Sequence, residues 1–342
     1  MQTEQRIQAF SRLGDYLRSA LVKHDAEAVL PPDLQQAIIK ASQLNAWFTQ
    51  AEVLHSLKQW VALLDEAHLH SWLKPYGDRL KKSGGKTIGL VNAGNIPLVG
   101  FHDFMTVLLC GHSYLGKNAS DDNTLLPFLA DKLLSLEPEL APSVSFVPRL
   151  KGFDAVIATG SNNSARYFEY YFGKYPHVIR RNRNGVAWLD GSETEAQLIA
   201  LGEDVFRYFG LGCRNVAHLL LPREYDFSKL FGALENYAEI RNHNKYINNY
   251  DYYKSVLILK KILFYDNGFL IVKKDDAIAT PISILNYTVY NNEGEARALL
   301  ESQAEKIQCI VSKHHLPFGS TQSPALNEYA DGVDTVEFLT QI

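Results

Sequence analysis

Thr87-Ile88-Gly89-Leu90-Val91-Asn92-Ala93-Gly94-Asn95-Ile96-Pro97 decides the fold class. The first five residues are an apolar run of strand length, and the next six carry the asparagines, glycine and proline that end strands and turn chains. A helical stretch follows from Leu98 to Leu109. The alternation then repeats: strand-like His112–Lys117, helical Thr124–Leu136 and strand-like Ser143–Val147. A further strand, Asp154–Ala158, runs through Thr159-Gly160-Ser161 into a helix from Asn163 to Phe172, and Val178-Ile179 reads as one more. Apolar runs alternating with amphipathic helices predict a parallel sheet with crossover helices, the pattern of a nucleotide-binding α/β domain.

Upstream, residues 1–80 read as helices. Ile7, Phe10, Leu13, Leu17 and Leu21 recur at three- and four-residue intervals, as do Val53, Leu57, Trp60 and Leu63-Leu64, with Pro31-Pro32 as a break between. Downstream, a helix over Glu193–Tyr208 ends at Phe209-Gly210-Leu211-Gly212-Cys213. Leu219–Leu221 before Pro222 is a strand end, Lys229–Ile240 and Tyr252–Ile262 are helical, and Phe269–Val272 and Ile282–Tyr290 are strands. Glu293–Gln303 is a helix and Ile307–Val311 a strand. The reading is α/β, with two α/β domains and an N-terminal helical region. Residues 1–184 hold the helices and the nucleotide-binding domain, 185–315 a second α/β domain carrying Cys213, and 316–342 a segment returning to the first.

The length of 342 residues agrees with two domains. The net charge of -4 calls for neither nucleic acid nor an anionic membrane. The most apolar long stretch, Ser255–Lys273, is interrupted by Lys260-Lys261 and Asp266-Asn267-Gly268, so no membrane span is expected. The start, MQTEQRIQAF, lacks a basic region followed by an apolar run. Three cysteines with no CxxC spacing argue against a disulfide framework and against a structural metal; no metal is expected, and the cytoplasm is the expected compartment.

Four features fall at element ends, where α/β sheets bind ligands. Asn92–Pro97 offers amide donors after a strand. Lys117, with Ser120 and Asp121-Asp122, ends another; it suits a ribose or phosphate as well as plain solvation. Thr159-Gly160-Ser161 opens a helix, whose backbone amides favour phosphate, although the GxGxxG fingerprint is absent. Cys213 follows Gly210-Leu211-Gly212 and precedes Arg214, a cation that favours a thiolate. Taken alone, it reads as a small core residue. Cys110 and Cys309 lie in apolar runs and read as core.

Taken in order, these features resemble the aldehyde dehydrogenase superfamily, and within it the LuxC-type acyl-CoA reductases, from about Ile88 to the C-terminus. Gly94-Asn95-Ile96-Pro97 is similar to the superfamily's W-N-x-P element, which implies Asn95 as an oxyanion-hole donor and places Pro97 beside the cofactor. Gly111 and Lys117 match the glycine and the ribose-contacting lysine. Gly160-Ser161 matches the turn near the cofactor pyrophosphate. Gly210-Leu211-Gly212-Cys213 matches G-Q-x-C, which implies Cys213 as the nucleophile. Pro317-Phe318-Gly319-Ser320 resembles the late P-F-G-G element, and Asp331–Glu337 resembles LuxC-type endings.

The departures are also informative. Where hydrolytic relatives carry the glutamate that activates water, this chain reads Arg180-Arg181-Asn182-Arg183-Asn184-Gly185. The E-x-F-G-P glutamate is replaced at Ala277–Pro281, with Asp275 or Asp276 as substitutes. Hydrolysis of an acyl-enzyme needs a base for water, whereas reduction does not. The resemblance therefore implies reduction of a fatty acyl-CoA thioester to the aldehyde through an acyl-Cys213 intermediate. The alternatives are an aldehyde-oxidising dehydrogenase and a non-catalytic nucleotide-binding scaffold of the same fold. NADPH is the implied cofactor, with NADH as the alternative if Asp121 or Asp122 meets a ribose diol. Arg180, Arg181 and Arg183 suit phosphates of CoA or NADP, and Phe209, Tyr208 and Trp188 are candidate acyl-pocket residues. The family's partners would be a homodimer and an acyl-transferase or synthetase.

Overall fold

The computed structural model describes residues 1–22 and 30–342. Among these, five helices precede the first strand: α1 (Thr3–Val22), α2 (Pro32–Leu44), α3 (Gln50–Leu63), α4 (Glu66–Leu73) and α5 (Gly77–Lys82). Ile7, Phe10, Leu13, Leu17 and Leu21 form the buried face of α1, none more than 4% exposed. Pro32 opens α2, at a position where a missing N–H costs nothing. Thr49 caps α3 by accepting from the Glu52 amide, and Asp65 caps α4 by accepting from Ala67 and His68.

The alternating segment that follows comprises β1 (Thr87–Val91), α6 (Phe101–Leu109), β2 (Ser113–Lys117), α7 (Leu125–Leu136), β3 (Val144–Phe146), β4 (Ala155–Thr159), α8 (Asn162–Phe172) and β5 (His177–Arg180). The five strands pair in parallel in the order β3-β2-β1-β4-β5. This is a doubly wound sheet, and its order reverses between β1 and β4. Helix α6 begins three residues later than its apolar pattern predicts, because Leu98 turns through φ 60° and its carbonyl accepts from the Phe101 amide. The helices and sheet share one core. Phe10 of α1 meets Phe101 and Phe104 edge-on at 6.4 and 6.2 Å, and Trp60 meets Phe101 at 4.6 Å.

Met1–Arg181 and Ala325–Ile342 make up this first unit. Polar bonds fasten its C-terminal segment, which ends in a short helix, Thr335–Thr340. Trp72 donates to the Tyr329 hydroxyl at 2.8 Å, Tyr76 to Asp334 at 2.6 Å, and His112 to the Leu339 carbonyl at 2.9 Å. Arg180 is buried, pairs with both carboxylate oxygens of Asp103, and donates to Thr335 at 3.0 Å. The reading of Arg180 as a phosphate ligand is thus corrected. Arg180 holds the fold together, and Arg181 pairs with Glu169 of α8.

Asn182–Pro324 form the second unit. It contains β6 (Asn184–Trp188), α9 (Glu195–Phe206), β7 (Val216–Pro222), α10 (Phe227–Leu234), α11 (Asn244–Leu259), β8 (Tyr265–Asp266), β9 (Ile271–Lys274), β10 (Ile284–Tyr290), α12 (Glu293–Ser302) and β11 (Ile307–Val311). The sheet order is β11-β6-β7-β10-β9-β8, parallel except for the β8–β9 pair. Strand β6 escapes a pattern reading because it opens on Asn184-Gly185, residues that ordinarily mark a turn. The glycine is there for close approach: a Cβ at Gly185 would lie 2.7 Å from the Arg214 carbonyl oxygen. Helix α9 starts with a reciprocal capping box between Thr194 and Gln197. No helix among the described residues is long and apolar enough to cross a membrane.

Candidate functional site

In the first unit, the residues that the sequence points to gather at the C-terminal ends of three adjacent strands. Asn92–Pro97 leaves β1, Lys117 is the last residue of β2, and Gly160-Ser161 follows β4. The β1 and β4 loops therefore flank the point where the strand order reverses, the crevice in which such sheets bind ligands. Asn92 is structural: its buried amide donates to Tyr114 at 2.7 Å and to Asn118 at 2.8 Å. Asn95, three residues on, is half-buried. The loop between them is pinned from below, with Asn45 donating to the Gly94 carbonyl at 3.1 Å and Ser56 to the Pro97 carbonyl at 2.9 Å. Pro97 itself is buried.

Ser161 is the N-cap of α8, and its hydroxyl accepts from the Ser164 amide at 3.2 Å. No acidic side chain lies in the first turn of α8, so the positive end of its dipole is not neutralised there. A Cβ at Gly160 would come within 2.9 Å of Ser164 and Phe168, so glycine keeps the strand end tight against the helix start. This geometry fits a nucleotide pyrophosphate. Lys117 is half-buried at the end of β2, with β1 between it and β4 in the strand order. Asp121 is exposed and Asp122 buried. Burial, with help from the Asp121 charge, pushes the Asp122 carboxyl up to about 7. One Asp122 oxygen, Oδ1, has no hydrogen-bond partner among the described residues.

In the second unit, Cys213 lies ahead of β7, at that strand's N-terminal end. It is the second residue of a four-residue turn. The Asn215 amide donates to the Gly212 carbonyl at 3.1 Å, and the Gly212 amide donates to the Asn215 side-chain oxygen at 2.8 Å. The approach to this turn is strained, because Tyr208 and Phe209 adopt positive φ, at 52° and 58°, before Gly210, which takes 77° without cost. Arg214 donates through Nε to the Thr321 carbonyl at 2.5 Å. Asp204 of α9, wholly buried, accepts from the amides of Gly319 at 2.6 Å and Thr321 at 2.9 Å, and its carboxyl is pushed up by burial. The Pro317–Ser320 element is therefore fastened beside the cysteine turn.

Cys213 is half-buried, whereas Cys110 and Cys309 are buried. Burial pushes the Cys110 thiol up to about 12, which removes it as a thiolate near neutrality. Cys309 donates to the Arg214 carbonyl at 3.5 Å. The three candidate acyl-pocket residues do not form one surface. Tyr208 and Phe209 are buried, with Phe209 against the His243 ring at 4.2 Å. Trp188 sits at the far end of β6 from Gly185, lining a small cavity with Asp190, Lys313 and Phe318. Asp275 is engaged by Lys273 and by the Ala277 amide, and Asp276 by Thr288 at 3.1 Å. Sequence reading misses Asn215 and Asp204, since side chains bonded to carbonyls and amides remote in sequence leave no motif.

A model of the acyl-CoA reductase (LuxC) family matches residues 1–214, a span that includes Cys213. No protein of curated function matches the chain. Solved structures share the fold at low identity. Aldehyde dehydrogenase 21 from Physcomitrella patens, in complex with succinate, is 13% identical with a TM-score of 0.64, over 92% of this chain and 74% of that one. An aldehyde dehydrogenase from Mycobacterium tuberculosis, complexed with NAD+, is 14% identical with a TM-score of 0.58, over 87% and 71%. An NADP-dependent enzyme from E. coli is 12% identical with a TM-score of 0.56, over 87% and 71%. The chain thus has the fold of the aldehyde dehydrogenases.

Proposed function

The chain belongs to the acyl-CoA reductase (LuxC) family, an oxidoreductase family acting on acyl groups, and from that premise we propose that it reduces a fatty acyl-CoA to the aldehyde with Cys213 as acyl acceptor and NADPH as reductant. One observation carries the assignment of Cys213. Of the chain's three cysteines it is the one that is not buried, and it stands in a doubly closed turn within the matched residues.

The Cys213 thiolate attacks the thioester carbonyl carbon, and a backbone amide of the cysteine turn stabilises the oxyanion; the family resemblance implies Asn95 as a second donor. The Gly212 amide is already committed to Asn215, so it is not the backbone donor. The carbon–sulfur bond to CoA breaks, CoA leaves as a thiolate that takes a proton from solvent, and an acyl-Cys213 thioester remains. The nicotinamide cofactor, when bound, supplies a hydride. Collapse of the thiohemiacetal on Cys213 then expels the aldehyde and restores the thiolate. Residues 180–185 contain no carboxylate to activate water, which supports reduction over hydrolysis.

The α8 N-terminus with Gly160 and Ser161 would hold the pyrophosphate, and Lys117 the adenosine ribose or its phosphate. NADPH is the reductant that the family resemblance implies, and NADH is the alternative if Asp121 or Asp122 near Lys117 meets a ribose diol. A cytoplasmic setting suits an unprotected thiolate nucleophile. The same reading includes a homodimer and an acyl-transferase or synthetase partner, both checkable by co-purification.

Incubation with radiolabelled acyl-CoA in the absence of nucleotide tests the central step. Label is expected on Cys213 and absent from Cys213→Ala. Equal labelling of both proteins overturns the assignment.

A further inference from the structure

Asn215 is 1% exposed, and every polar atom of its side chain is used. Its oxygen accepts from the Gly212 amide at 2.8 Å, which closes the turn that presents Cys213. Its nitrogen donates to the carbonyls of Arg207 at 2.8 Å and Asp204 at 3.0 Å, with Val205 at 3.4 Å. The Asp204 and Val205 carbonyls belong to the last turn of α9, which ends at Phe206, and the Arg207 carbonyl to its C-cap, where a helix leaves carbonyls to outside donors. One side chain thus caps a helix C-terminus and fixes the cysteine turn. It also spans the run Tyr208-Phe209-Gly210, whose left-handed backbone needs an outside tether to persist.

The electrostatic sense of this arrangement matters. Thiolates are commonly stabilised at helix N-termini, whereas Cys213 follows a helix C-terminus, the negative end of the dipole. Left bare, the α9 carbonyls would oppose a nearby thiolate. The Asn215 amide hydrogens cover them.

We propose that Asn215 is a positioning residue for Cys213, which it serves by holding the turn geometry and by masking the negative end of α9 next to the nucleophile. The proposal rests on the reading of Cys213 as the acyl acceptor. It differs from a purely structural role because it makes the ionisation of Cys213 depend on a neighbour that never touches substrate.

The test uses the full chain and the variants Asn215→Ala and Asn215→Asp. Three quantities are read: steady-state NADPH-dependent reduction of an acyl-CoA, the pH profile of iodoacetamide alkylation mapped to Cys213 by mass spectrometry, and thermal unfolding. In Asn215→Ala, kcat is expected to fall by about 10- to 100-fold, the scale of an ångström-level displacement of a reacting group. KM for acyl-CoA should stay within about threefold, since the substrate gains and loses no direct contact. The alkylation profile should move to higher pH as bare carbonyls disfavour the thiolate. If the Ala variant does not yield folded protein, Asn215→Asp decides. It keeps the shape and the acceptor for Gly212 but sets a carboxylate against the α9 carbonyls, so its alkylation profile should shift further in the same direction. A wild-type alkylation profile in a folded variant overturns the proposal. If acyl-CoA leaves no label on wild-type Cys213, the function reading fails instead, and the alkylation profiles still decide what Asn215 does to the cysteine.

Discussion

The two units present their chemical groups at opposite ends of their strands. In the first, Asn95, Lys117 and Gly160-Ser161 stand at the C-terminal ends of β1, β2 and β4, where a doubly wound sheet opens a crevice and aims a helix N-terminus into it. In the second, Cys213 stands at the N-terminal end of β7 and beside the C-terminus of α9, where parallel-sheet architecture supplies neither. The anion site proposed for the first unit would therefore follow from its topology, with few special side chains. The second has no such ready-made site and shapes one with Asn215, Asp204 and a strained left-handed run. On the proposed reading, nucleotide binding would come with the fold, whereas the placement of a nucleophile would be built by side chains.

The most drastic way to break this comparison is at the nucleophile. Cys213→Ala is expected to reduce acyl-CoA turnover by about 10³-fold or more, the scale of losing a nucleophile, while a nucleotide still binds to the first unit. Parallel loss of nucleotide binding, measured by fluorescence titration, would show that the two duties are not divided as described.

Next in size is Arg180. Its removal as Arg180→Met leaves the Asp103 carboxylate buried without its cation. Breaking a buried pair in this way costs about 3–5 kcal/mol, read as a drop in the denaturant midpoint. If the units answer separately, Cys213 alkylation in the native protein keeps its wild-type rate.

Arg180 also shows where sequence reading stops. It lies in a basic run next to a strand, which looks like a phosphate site, and only the fold reveals that Asp103, remote in sequence, claims it. The strands and helices of the first unit are legible because each is a short apolar run or a helical stripe between turn residues. Its strand-end residues are legible because they fall at those boundaries. The β6 strand is not, since Asn184-Gly185 imitates a turn while serving a close approach to Arg214. Nor is Asn215, whose partners Asp204 and Arg207 lie on a helix end that no periodicity connects to it. Cys213 itself is legible only by resemblance, because an isolated cysteine carries no local signature of reactivity.

Asp122 gives a smaller effect with a definite sign. Its carboxyl is held at about 7, above the ordinary 3.8, so the folded chain binds this proton more tightly than the unfolded chain does. Stability from this group is therefore greatest below about pH 4 and declines as pH rises toward 7, by on the order of 2–4 kcal/mol in total. Asp122→Asn should remove that decline. The variant's melting temperature should exceed that of the wild type at pH 7.5 and approach it at pH 4. Equal melting temperatures at both values would mean the carboxyl is better solvated than its burial implies.

The smallest effect sharpens the comparison most, because it asks what the first unit binds. Lys117 ends β2 and is half-buried, with Asp122 five residues on. Lys117→Met removes one charge-assisted contact, a loss of about tenfold in nucleotide affinity, and should raise the nucleotide KM with little change in kcat, because the contact is made equally in ground and transition states. The two nucleotides separate the possibilities. If Lys117 meets a 2′-phosphate, the NADPH KM rises and the NADH KM hardly moves; if it meets only the ribose, both rise together. An unchanged KM for both would place the adenosine elsewhere and leave the α8 N-terminus as the first unit's remaining anchor. A selective rise for NADPH would show that one lysine at a strand end, beside a carboxyl kept near neutral by burial, sets the cofactor choice.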